Sequence, residues 1–122
     1  MADEELKLTK KEMQRNESLA NDLKAYIKKH ELGDTRIYFN GLCYDFNSNS
    51  KMTTIGVIFG STYFEYANDK TVSMSFEGTL YNILNYGEAP KMLEEFDKIF
   101  AKHKCYYELG YAWSLSVYFD ED

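Results

Sequence analysis

Four side chains in this sequence have the chemistry to hold a soft metal or to pair as nucleophile and base: His30, Cys43, His103 and Cys105. A tetrahedral zinc site needs all four to converge. The run His103-Lys104-Cys105 is not a usual ligand spacing, and a helix end and a strand separate His30 from Cys43. Each histidine falls near the C-terminus of an expected helix, where capping accounts for it. A cysteine nucleophile also requires an adjacent base and a third group to orient that base. No local signature supplies them, so both thiols read as buried core residues.

Paired carboxylates are the next candidates. Glu65 and Glu77 lie among aromatics, in Phe64-Glu65-Tyr66 and Ser75-Phe76-Glu77-Gly78. A glycosidase holds two carboxyls about 5–10 Å apart across a sugar cleft. Strand alternation puts both glutamates on the face away from the main apolar set, as solvated side chains. Glu94, Glu95 and Asp97 read as the wet side of a helix, with Glu94 and Lys98 at the favourable i,i+4 spacing. The 7 glycines are scattered as turn residues, and none forms a phosphate-cradling loop. The expectation is a non-enzymatic protein with no catalytic group, metal or cofactor.

The elements that must position these residues are more legible. Thr9-Lys10-Lys11-Glu12 matches a capping box, and Leu19, Ala20, Leu23, Tyr26 and Ile27 follow a helical period. That predicts a helix over 10–31, stopped by Gly33 in a left-handed conformation. Asn40-Gly41 is the preferred pair for a two-residue hairpin turn. In that register Phe39 opposes Leu42 and Ile37 opposes Tyr44. A strand over Thr53–Phe59 is expected to return through a second tight turn at Gly60-Ser61 into Thr62–Tyr66. Asn68-Asp69-Lys70 then turns the chain into Val72, Met74 and Phe76.

Two helices follow, one presenting Leu80, Ile83 and Leu84 and stopped by Gly87, the other over 91–103 behind Pro90. From Tyr107 to Phe119 the large apolar residues fall on the odd positions, which predicts one long final strand. The fold class is therefore α+β. It is an antiparallel β-meander of about five to six strands, with an N-terminal helix and two helices inserted before a long final strand. One domain over 1–122 is expected, with 1–8 a frayed leader and 120–122 an acidic tail. The acidic start, Met1-Ala2-Asp3-Glu4-Glu5, is unlike a signal peptide, and a cytoplasmic location is the expectation.

Charge and aromatic content decide the functional expectation. Residues 1–36 hold 8 basic and 8 acidic side chains, whereas 37–122 hold 6 and 12 and every aromatic except Tyr26. The net charge of −6 thus belongs to the aromatic part. Direct binding of a nucleic-acid backbone needs clustered Lys and Arg, so the charge has the wrong sign for it. Tyrosine beside carboxylates suits a basic protein partner, because tyrosine joins a large apolar area to a polar tip.

The leading expectation is a stoichiometric inhibitor that occludes a basic, nucleic-acid-handling protein, of the toxin-immunity or phage anti-defence type. The residues expected at that contact are Tyr38, Tyr63, Glu65, Glu77, Glu108, Tyr118, Asp120, Glu121 and Asp122, on a sheet face that the helices leave open. The alternatives are a scaffold subunit that self-associates through the aromatic sheet and a small ligand-binding domain. No membrane partner is expected.

Overall fold

A computed structural model describes residues 8–47, 52–56 and 59–120. The first helix, α1 (Lys10–His30), begins at the capping box. The Glu12 N–H donates to the Thr9 hydroxyl at 3.0 Å, and the Glu12 carboxylate accepts the Thr9 N–H at 2.9 Å. The helix ends one residue short of the expected 10–31, and its left-handed closing residue falls two positions before Gly33. Glu31 takes the left-handed conformation at φ 52°. The Leu32 N–H reaches back to the Ile27 carbonyl and the Glu31 N–H to that of Lys28, a Schellman closure. Leu32 is fully buried, and its burial sets where the chain must turn.

The six strands are β1 (Thr35–Phe39), β2 (Leu42–Phe46), β3 (Met52–Gly56), β4 (Val72–Phe76), β5 (Cys105–Leu109) and β6 (Ser114–Phe119). They form one antiparallel sheet in the order β3-β2-β1-β4-β6-β5. The Asn40-Gly41 turn has positive φ at both residues, and Phe39 faces Leu42 as its sequence requires. Between β4 and β5 lie α2 (Thr79–Tyr86), ended by left-handed Gly87, and α3 (Pro90–Lys102) with Pro90 in its first turn.

All three helices cover one face of the sheet. Ile37, Phe39, Phe46, Val72, Met74, Phe76, Leu115 and Val117 line that inner face, and Leu19, Leu23, Ile27, Leu80, Ile83, Phe96 and Phe100 pack onto it from the helices. Burying a side chain of this size contributes roughly 1.5–3 kcal/mol, so this layer dominates stability.

Two expected strands take another form. Residues 62–66 do not return as a strand. A 3-10 turn at Gly60–Thr62 sends the chain across the outer face of the sheet, where Phe64 is buried. Burial of that ring overrides the tight turn that the glycine suggested. The expected extension of β3 through Val57 and Ile58 lies outside the described residues, as do the leader 1–7, the loop 48–51, Glu121 and Asp122.

The long final strand is a hairpin, with residues 110–113 as its loop. Cys105 pairs with Phe119, Tyr107 with Val117 and Leu109 with Leu115. Odd residues thus face odd residues, and the alternation passes through the loop unbroken. A period of two does not distinguish this hairpin from one continuous strand.

Candidate functional site

The strand register places a row of side chains across the outer face: Cys43, Tyr38, Ser73, Ser116 and Glu108. The adjacent row is Asp45, Arg36, Ser75 and Ser114. Serines on the adjacent interior strands β4 and β6 leave a shallow trough, and the segment 59–71 lies in it. Phe64 meets the edge of Tyr38 at 5.6 Å between centroids and of Trp113 at 5.7 Å. The backbone of the segment is tied to the sheet. The Ser116 hydroxyl donates to the Tyr66 carbonyl, the Asn68 N–H to the Ser73 hydroxyl at 2.8 Å, and Asn68 Nδ2 to the Val117 carbonyl at 3.1 Å. The Ser61 N–H and hydroxyl both bind the Asp69 carboxylate.

This cover changes the standing of the expected contact residues. Tyr38 is buried, 4% exposed, beneath Tyr63 and Phe64, and is not available as a surface ring. Tyr63 is exposed at the top of the segment. Glu65 accepts the Tyr111 hydroxyl at 2.9 Å. Glu77 is exposed, but it stands with Asp34, Arg36 and Asp45 around a separate depression, where Arg36 Nε binds Asp45 at 3.1 Å. Glu65 and Glu77 are therefore not brought together as a carboxylate pair.

Glu108 and Tyr118 do converge. With Tyr66, Leu109, Gly110 and Ser116 they line an open recess of about 240 Å³ at the β5–β6 end of the outer face. Tyr106 stacks on Tyr118 at 5.6 Å, extending one wall. Gly110 makes the other wall close: a Cβ there would stand 3.0 Å from the Cβ of Tyr66. Asp120 follows Tyr118, its N–H bound to the Lys104 carbonyl. Tyr66, Tyr106 and Tyr111 are exposed around this end, and among the described residues no basic side chain lines the recess. The hydrogen bond to Glu65 raises the pKa of Tyr111, which favours its phenol form.

Tyr66, Tyr106 and Tyr111 were not among the expected contacts. Tyr66 falls in the expected strand Thr62–Tyr66, which does not form. Tyr111 is one of the odd positions of the expected long strand and lies instead in the hairpin loop.

The four soft ligands are held apart. His30 Nε2 lies 2.9 Å from Glu95, and His103 Nε2 lies 2.7 Å from Asp22, so the histidines join α1 to α3 at two points. Cys43 belongs to the outer-face cluster and Cys105 to the inner core. Burial pushes the Cys105 thiol up to about 12 and raises that of Cys43, which disfavours the nucleophilic thiolate at both. Among the described residues no group of three His, Cys, Asp or Glu is placed to hold a metal, and no helix is long and apolar enough to cross a membrane.

Compared with known proteins, the chain matches no family model, no curated protein and no solved structure.

Proposed function

We propose that the chain is a non-enzymatic binding protein whose β5–β6 end engages a basic protein partner. The observation that supports this best is the recess itself, which Glu108 lines together with Tyr66, Tyr118 and Ser116 and, among the described residues, with no basic side chain. A carboxylate flanked by aromatic rings complements an arginine, whose guanidinium pairs with the acid and stacks on the rings. At about 240 Å³ the recess is smaller than the roughly 300–1,000 Å³ of small-molecule sites, which favours one long side chain over a free ligand. The overall charge of −6 attracts a basic protein to the chain.

The concrete form is a stoichiometric inhibitor, which would act by covering the basic surface of a nucleic-acid-handling protein. The test is an affinity capture from nuclease-treated lysate, run in parallel with wild type and with Glu108→Lys and Tyr66→Ala variants. The expected result is one basic protein, released by salt and lost with either variant, the charge reversal weakening association by about tenfold or more. Capture that survives both substitutions would overturn the site. Recovery of this chain alone, resistant to salt, would instead mark self-association through the aromatic face.

A further inference from the structure

The hairpin that builds the recess also ends the sheet, because among the described residues β5 pairs only with β6. The hydrogen-bond phase of that pairing is fixed at both ends. The Lys104 carbonyl accepts the Asp120 N–H at 2.9 Å, and the Gly110 N–H donates to the Ser114 carbonyl at 3.1 Å. Even-numbered residues of β5 therefore bond to β6, and the odd-numbered Tyr107 and Leu109 turn their N–H and C=O groups out of the sheet. Natural sheets blunt such an edge with lysine, proline or a bulge. β5, with the sequence Cys-Tyr-Tyr-Glu-Leu, has none of these, and its one charge is Glu108.

We propose that this edge receives an extended, basic segment of the partner as a further strand, with an arginine of that segment seated beside Glu108. The proposal rests on the reading of the recess above and adds the backbone mode of binding. On the free side of β5, Tyr106 and Glu108 occupy non-hydrogen-bonded positions, where facing side chains approach most closely. A residue opposite Glu108 directs its side chain to the outer face, next to the carboxylate and within reach of the recess.

The alternate residues of the added strand fall on the inner side. There an apolar groove runs along α3 past Leu93, Asp97 and Ala101. The Tyr107 hydroxyl donates to Asp97 at 2.6 Å, which sets this groove beside β5. An open backbone ladder, a carboxylate recess on one side and an apolar groove on the other select a segment that alternates basic and apolar residues. Charge distinguishes this occupant from a second copy of β5, which would bring another Glu108 to the same face.

The test uses isotope-labelled full-length chain with two probes, arginine amide and a short peptide alternating arginine and valine, read by residue-resolved amide exchange and chemical shifts. In the free protein the Tyr107 and Leu109 amides are expected to exchange faster than those of Tyr106 and Glu108. With the peptide they are expected to slow by about tenfold or more, since a ladder bond must open before exchange. A peptide alternating arginine and proline lacks half of the ladder donors and should give much less protection. Glu108→Gln should weaken the peptide without altering exchange in the free state.

Shifts at Tyr66 and Tyr118 with either probe, while Tyr107 and Leu109 stay fast, would overturn strand addition and leave the recess standing. Protection of the edge that is indifferent to Glu108→Gln would overturn the placing of the arginine. Absence of any response to both probes would overturn both readings.

Discussion

Tyr111 and Trp113 stack with their ring planes 6° apart and their centroids 5.1 Å apart, at the tip of the β5–β6 hairpin. Trp113 also meets the edge of buried Phe64, while Tyr111 lies against Tyr66 at 5.6 Å and bonds to Glu65. The stack therefore connects the covered centre of the outer face to the exposed rings at its end. Phe64 belongs to a segment with no strand pairing of its own, so the recess depends on how that segment is seated.

The Phe64→Ala substitution tests this dependence. Truncating a buried phenylalanine costs about 3–5 kcal/mol, and here the loss should be confined to the outer face. The chain's single tryptophan reports on it directly. A red-shifted Trp113 emission with unchanged far-ultraviolet circular dichroism is expected. An unshifted emission would mean that the segment 59–71 is held by its hydrogen bonds alone.

Much of the helical layer and the first hairpin was legible in the sequence, because both rest on local rules. Thr9 and Glu12 cap each other across one turn, and Asn40-Gly41 sets its own register. The outer face was less legible because its order is tertiary. Phe64 follows a glycine-serine pair that suits a hairpin, yet its ring is buried only where Ser73 and Ser116 make room for the chain. The alternating serines at 73 and 75 and at 114 and 116 were the available signal: small side chains on two neighbouring interior strands imply that something lies over them. Tyr38 was placed on the correct face, but without that cover its burial was not apparent.

The second prediction concerns acid. Hydrogen bonds from His103 and then Lys102 hold the Asp22 carboxyl below its ordinary pKa, and those from His30 and then Lys29 do the same for Glu95. A carboxyl whose pKa is depressed in the folded state contributes stability above its unfolded pKa. That contribution is lost as pH falls through the folded value. These two clamps between α1 and α3 should therefore weaken below about pH 4. Both carboxylates are partly exposed, so removing each pair is expected to cost only about 0.2–1 kcal/mol at neutral pH. Urea denaturation of the Asp22→Asn, Glu95→Gln double variant across the acid range should show a shallower loss of stability than wild type. Parallel curves would place the acid sensitivity elsewhere.

The third prediction sets a left-handed position that lacks glycine against a crowded position that has one. Glu31 adopts the left-handed conformation with φ 52° and ψ 51°, strained for a residue with a Cβ, while closing α1. Gly78 sits at the end of β4, where a Cβ would stand 2.6 Å from the Gly33 carbonyl oxygen. That approach holds the strand end against the α1–β1 connection, and the Glu77 N–H donates to the Asp34 carbonyl there at 3.0 Å. Backbone on both sides leaves no flexible side chain to yield. Glu31→Gly should raise stability by up to about 1 kcal/mol, because relief of the left-handed strain exceeds the entropy lost with glycine. Gly78→Ala should lower it by about 1–3 kcal/mol through enforced separation of the two segments. Chemical denaturation of the two variants against wild type separates the effects. A stable Gly78→Ala protein would show that the strand end can move away from Gly33, and would shift the reason for glycine there to the start of α2.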